Sequence, residues 1–163
     1  IEFTKRNGRS FVVETPHLIT TVLGTSFNIR AFSDDECESV SLVSGKVSIQ
    51  HHRDINRPPV ILSPREKLEY RNSTGTLSYV PFHSDEVLWK DGILLFKDAD
   101  LESFINSVEN WYGVDISVSG NHHSNWHING RFENESLELI LESLKFTENI
   151  DFAINNKKVL LII

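Results

Sequence analysis

The apolar positions of this chain follow two different periods, and the change falls near residue 90. Up to residue 80 the pattern is that of short strands. Phe3 to Val13 holds two short apolar runs around Asn7-Gly8, a hairpin-turn dipeptide. Thr20 to Phe32 is rich in β-branched and aromatic residues, and Gly24 interrupts it as at a bulge or bend. Val40 to Ile49 reads as two strands about Gly45. Val60 to Leu62 and Leu68 to Tyr70 flank the turn Ser63-Pro64-Arg65-Glu66, and Leu77 to Val80 forms one more strand. No stretch of residues 1–80 carries a helical period.

Beyond residue 90 the chain repeats itself at an offset of about 36 positions, read directly from the residues. Phe96 falls on Phe132, Leu101 on Leu137, Phe104 on Ile140, Ile105 on Leu141 and Val108 on Leu144. Leu101, Phe104, Ile105 and Val108 have the i, i+3, i+4, i+7 spacing of one helix face, as do their four counterparts. Asp100 and Ser136 stand where N-caps belong, and Gly113 and Asn149 where a left-handed helix stop belongs. The spacing predicts helices over 100–112 and 136–147. After each helix the period drops to two, in Val114, Ile116, Val118 and in Ile150, Phe152, Ile154. Each copy therefore reads as strand–helix–strand, with all strands in one sheet and both helices on one of its faces. A closing strand, Lys158 to Ile163, follows the turn residues Asn155-Asn156.

The fold class expected is α+β: an all-β subdomain over 1–88, a twisted solenoid-like stack or small sandwich, then a two-copy βαβ subdomain over 89–163. Trp89 marks the junction, read as a plug between the halves, and Trp111 and Trp126 read as core.

Composition narrows the function classes. With 39% hydrophobic and 10% aromatic residues in 163, the chain can bury a core. Residues 1–90 carry 11 Lys and Arg against 11 Asp and Glu, whereas residues 91–163 carry 5 against 12, so the net charge of −7 lies in the second half. An acidic half without a basic stripe argues against nucleic-acid binding. The longest clean apolar run is Val159 to Ile163, too short to span a bilayer. The lack of Met and the strand-like opening read as a fragment or processed piece, with upstream parts missing.

The residues offer no catalytic, cofactor or metal site. His122, His123 and His127 form the densest histidine cluster, but Gly120-Asn121 and Asn129-Gly130 mark it as a linker between the copies. His51-His52 follows a strand and opens a loop. Asp34-Asp35-Glu36 lacks the glycine and spacing of a calcium loop. There is no Gly-x-Ser-x-Gly elbow and no phosphate loop, and Ser26 has no particular His to pair with. Cys37 is the sole cysteine, so no internal disulfide forms, and its acidic neighbours should raise the thiol pKa rather than activate it. The candidate interaction residues are Val159, Leu160, Leu161, Ile162 and Ile163. The odd ones are expected to face the helices, and Leu160 and Ile162 to face outward. If this strand is a sheet edge, its free backbone groups accept a partner strand.

Several blocks resemble one family. Thr21-Val22-Leu23-Gly24-Thr25-Ser26-Phe27-Asn28-Ile29-Arg30-Ala31-Phe32 is similar to the signature of FecR-type periplasmic sensor proteins. Val40 to Ile49 resembles their Leu-x-x-Gly-x-Val block, and Ile61 to Lys67 their Leu-x-Pro-Gly-Glu turn. Trp89-Lys90-Asp91-Gly92-Ile93-Leu94-Leu95-Phe96 resembles their Trp-x-x-Gly-x-Leu-x-Phe junction, and Asn110 to Val114 the Tyr-Gly-Val that ends the first helix of the C-terminal module. One departure is that Arg65 stands where the family has Gly; the expectation is a different local turn rather than a strained Arg.

The resemblance implies a periplasmic signalling domain of a single-pass inner-membrane anti-sigma factor, of a Bacteroidetes style. It implies two partners: the N-terminal signalling domain of a TonB-dependent outer-membrane receptor, and, through a cytoplasmic region beyond this sequence, an extracytoplasmic-function sigma factor. It also implies that the C-terminal module is similar to the short domain shared by secretins and TonB-dependent receptors. No enzyme activity, cofactor, nucleic acid or direct membrane contact is expected. The alternative function is a carbohydrate- or metal-binding periplasmic module.

Overall fold

The computed structural model describes residues 2–3, 10–33, 35–54, 56–120 and 126–163. The chain divides into two compact units, Ile1–Glu86 and Val87–Ile163. Among the described residues no helix is long and apolar enough to cross a membrane.

Among its described residues the first unit holds nine strands: β1 (Glu2–Phe3), β2 (Phe11–Glu14), β3 (Leu18–Val22), β4 (Thr25–Arg30), β5 (Cys37–Ser44), β6 (Val47–His51), β7 (Val60–Leu62), β8 (Lys67–Arg71) and β9 (Thr76–Val80). They form a five-stranded sheet, β1-β4-β5-β8-β9, and a four-stranded sheet, β2-β3-β6-β7. The logic is a long antiparallel ribbon bent in half. Val22 pairs with Val47 in one sheet and Ser26 with Ser44 in the other, so β3–β4 and β5–β6 both change sheets at the same level. Gly24 and Gly45 sit at the bend with φ of 65° and 92°. A Cβ on Gly45 would lie 2.8 Å from the Gly24 carbonyl oxygen, so only glycine lets the two crossings touch. Thr25 Oγ1 fastens them by donating to the Lys46 carbonyl over 3.0 Å. The bend read at Gly24 is therefore a change of sheet rather than a bulge within one.

A third strand follows the same course from β7 to β8 through Ser63-Pro64-Arg65-Glu66. It stays paired with β5 through the turn, Arg65 N–H donating to Leu42 O and Leu42 N–H to Glu66 O. Arg65 has φ of 70°, so the left-handed conformation is present with Arg in place, contrary to the expected change of turn. The Glu66 side chain accepts from Ser63 N–H at 2.7 Å and Glu66 N–H donates to Ser63 O, which holds the turn closed around the unfavourable residue. The hairpin expected around Asn7-Gly8 cannot be followed through its turn. Its turn lies outside the described residues, and its two strands pair with β4 and β3, in different sheets. One apolar cluster, including Leu18, Val22, Phe27, Val40, Leu42, Ile49, Leu62, Leu68 and Tyr70, draws on both sheets.

A 3-10 helical segment, Ser84–Asp91, runs across the boundary at Glu86, and the second unit continues with β10 (Ile93–Ala99), α1 (Leu101–Tyr112), β11 (Asp115–Ser119), β12 (Ile128–Glu133), α2 (Leu137–Glu148), β13 (Asp151–Asn155) and β14 (Lys158–Ile162). Both helices and both trailing strands stand 36 positions apart. Asp100 Oδ1 accepts from Ser103 N–H, and Ser136 Oγ from Leu139 N–H, capping each helix start. Gly113 and Asn149 end the helices at φ of 64° and 55°. A second left-handed pair, Asp98 (53°) and Asn134 (52°), obeys the same spacing at the strand-to-helix joints.

The sheets differ from the expected single one. β10 pairs antiparallel with β12, and β11 and β13 flank β14 in a separate sheet. The two strands of one copy thus lie in different sheets, and the copies exchange partners across a pseudo-dyad. Leu95 opposes its own counterpart Arg131, and Leu160 lies between the counterparts Ser117 and Ala153. The core takes Phe104 and Val108 from α1, Leu137, Ile140, Leu141 and Leu144 from α2, and Val159 and Leu161 from β14, with Trp126 buried among them. Trp111 is partly buried against this core, whereas Trp89 is half-exposed.

Candidate docking surfaces

The groups that could carry chemistry are mostly occupied in holding the fold. His17 Nδ1 lies 2.7 Å from Glu38 Oε1, and Thr15 Oγ1 donates to Glu38 Oε2 over 2.6 Å, so the buried carboxylate is partnered on both oxygens. Tyr70 stacks on His17 at 4.7 Å and meets His51 at 5.1 Å. This His–Tyr–His stack draws on three separate strands or strand ends, and nothing in the sequence links them. His51 Nδ1 accepts from Arg53 N–H, and His127 Nδ1 lies 2.6 Å from Asp98 Oδ1. His122 and His123 lie outside the described residues, as does Asp34. Among the described residues no three His, Cys, Asp or Glu are placed to hold a metal. The Cys37 thiol is pushed up, by burial first and then by hydrogen bonding to Glu69 and its charge, against the pull of Arg71; this keeps it protonated at neutral pH.

Glu86 ends the first unit in a polar clasp. Ser41 Oγ donates to Glu86 Oε2 over 2.8 Å, Lys67 Nζ to Oε1 over 3.0 Å, and Asn28 Nδ2 to the Glu86 carbonyl over 3.3 Å. Ser41 is fully buried on β5, and the carboxylate supplies its partner.

The expected interaction residues fall in β14 and just after it. β14 is the central strand of its sheet, with β11 parallel on one side and β13 antiparallel on the other. Its ladder groups are used on both sides, so it cannot accept a partner strand, and the edge role does not hold for Val159, Leu160, Leu161, Ile162 and Ile163. Val159 and Leu161 are buried in the core, and Ile163 N–H donates to Ser119 O. Leu160 and Ile162 do face outward, 37% and 46% exposed. Their row-mates are small or charged: Ser117 and Ala153 beside Leu160, and Ser119 and Asp151 beside Ile162. Small neighbours leave the two aliphatic side chains standing proud of the sheet.

Among the described residues, the edges of this sheet are β11 and β13. β11 is partly blocked, because Glu109 on α1 accepts the outward Ile116 N–H over 2.6 Å. Beside it, Leu101, Glu102, Ile105 and Val118 line a shallow open groove of about 370 Å³.

A second apolar feature stands on α2. Phe146 is 92% exposed and Leu139 48%, on the face opposite the core. Lys145, close by, is held by Asp151 at 2.8 Å; the pair raises the lysine pKa and lowers that of the aspartate, chiefly through their hydrogen bond. The sequence did carry a signal for this surface, since Leu139 and Phe146 are the two large apolar residues of α2 that fall off its core spacing.

Residues 93–161 match the family described as FecR, C-terminal. The second unit is a FecR C-terminal domain. Two crystal structures of candidate anti-sigma factors from Parabacteroides distasonis are similar to the whole chain. One is 27% identical with a TM-score of 0.70, over 98% of this chain and 74% of that one. The other is 26% identical with a TM-score of 0.71, over 99% of this chain and 74% of that one. No curated protein matches the chain. The FecR resemblance carried by the sequence blocks therefore holds.

Proposed function

We propose that this chain is the periplasmic signalling part of an anti-sigma factor of a single-pass inner-membrane kind. In this reading it senses the N-terminal signalling domain of a TonB-dependent outer-membrane receptor. It passes the signal to an extracytoplasmic-function sigma factor through a cytoplasmic region of the longer protein. The observation that carries the reading is the likeness to candidate anti-sigma factors along 98% of the chain. Such a role asks for a docking surface rather than a reacting group. We read the first unit as a small β sandwich over 1–88 and the second, over 89–163, as a duplicated strand–helix–strand module of the kind shared with secretins and TonB-dependent receptors.

The receptor domain docks, in this proposal, on the outward face of β14 through Leu160 and Ile162. The test is a transcriptional reporter driven by the cognate extracytoplasmic-function sigma factor, in cells making the full-length protein or lacking it. A signal that follows the receptor's inducer only when the protein is present supports the reading. A reporter indifferent to the protein contradicts it.

A further inference from the structure

The exposed stripe on α2 is set apart by comparison with its own duplicate. In α1 the positions 36 residues earlier than Leu139 and Phe146 are Ser103 and Asn110, and the position equivalent to Glu142 is Asn106. The outer face of α1 is thus polar throughout, with Glu102 at the place of Glu138, as a solvated helix face should be. The outer face of α2 carries a Leu, a Glu and a Phe one turn apart. Because both helices run for 12 residues between a side-chain N-cap and a left-handed stop, with their inner faces in the core, folding does not require this difference.

The polar groups between the apolar ones turn inward. Ser143 Oγ donates to Leu139 O over 2.9 Å and Thr147 Oγ1 to Ser143 O over 3.1 Å, so both hydroxyls are spent on the helix itself. Lys145 is engaged by Asp151. The charges left on this face are those of Glu142, one turn before Phe146, and Glu138, one turn before Glu142 and beside Leu139, both exposed, in a unit whose net charge is strongly negative. An aromatic anchor within an acidic rim is complementary to an apolar pocket ringed by Lys or Arg. The same rim disfavours a second copy of this chain, which would bring like charges together, and an anionic membrane surface.

The geometry points to the outer face of α2, with Phe146 as anchor and Leu139 beside it, as a docking site for a basic, apolar protein surface. This site is separate from the Leu160 and Ile162 face. Those side chains alternate with Val159 and Leu161, which pack in the core, whereas Phe146 points away from the core on the helix side. The two faces can therefore be occupied independently, and the inference does not depend on the receptor reading.

The test uses the full chain and a 15-residue amphipathic helical peptide made of Lys and Leu as the probe, followed by calorimetric titration and by amide chemical shifts. The expected result is saturable binding with shifts centred on residues 139–146, weakened about tenfold or more in a Leu139→Ser, Phe146→Ser variant. Glu138→Gln with Glu142→Gln should flatten the dependence of affinity on salt. Ser103→Leu with Asn110→Phe should raise the stoichiometry towards two, a gain that no loss of folding can mimic. Equal affinity in the folded Ser variant, shifts centred elsewhere, or equally tight binding of a Glu and Leu peptide would overturn the proposal. So would self-association abolished by Phe146→Ser, which would assign the face to a second copy.

Discussion

The two copies of the second unit agree on their inner faces and differ on their outer ones. α1 and α2 each run for 12 residues between a side-chain N-cap and a left-handed stop. Phe104 and Val108 occupy the places of Ile140 and Leu144, and all four are buried. Outside, Ser103, Asn106 and Asn110 face Leu139, Glu142 and Phe146 across the comparison. Even within the core the match is unequal, since Leu141 is fully buried while its counterpart Ile105 is half-buried beside the groove. What closure of the fold demands is kept in both copies. What is left free differs, and such freedom is where partner recognition can be written without loss of stability.

The largest expected effect comes from the unequal core positions. Leu141→Ala should cost about 2–5 kcal/mol and Ile105→Ala distinctly less, because a fully enclosed site leaves a cavity and a groove wall does not. Equal losses in urea unfolding would mean that the copies are packed alike. The helix stops rank next. Gly113→Ala should cost about 1–2 kcal/mol, from backbone strain alone, because no atom lies near the new methyl. Asn149→Gly should be neutral or slightly stabilising; a loss would show that the Asn149 side chain is needed there.

The caps separate the copies by pH. Asp100 has its carboxyl pKa lowered by its hydrogen bonds with Ser103. A depressed folded pKa contributes stability above the unfolded value, and that stability is lost as pH falls through the folded pKa. The melting temperature should therefore fall more steeply below about pH 4 in the natural protein than in Asp100→Asn, which keeps a capping oxygen without a charge. Ser136→Ala should cost about 1 kcal/mol at every pH. Parallel pH curves for Asp100→Asn and the natural protein would remove the distinction. The smallest effect on stability is expected at Phe146: Phe146→Ser should leave the melting temperature nearly unchanged, because its side chain is already in solvent.

The helices were legible because their signal is local: four apolar residues at one spacing, a cap before and a stop after. The outward phase of Leu160 and Ile162 was legible for the same reason, from the period of two. Strand partners were not. Nothing local distinguishes β14 at a sheet centre from β14 at an edge, and its place depends on β11, some 40 residues earlier in sequence. The split of each copy between two sheets escaped for the same reason. Arg65 shows a different limit. Propensity argued against a left-handed Arg, but ladder bonds to Leu42 on both sides of the turn hold it there. The Glu38–His17–Thr15 contact and the Tyr70 stack join side chains up to 53 positions apart, and no motif announces them.

The central claim is that this chain docks a receptor's signalling domain through its second unit. It is tested most directly by titrating the full chain with the N-terminal signalling domain of its cognate TonB-dependent receptor. The account predicts saturable one-to-one binding, weakened about tenfold or more by Leu160→Lys with Ile162→Lys at an unchanged melting temperature. No binding by the natural protein, or undiminished binding by the folded double variant, would contradict it.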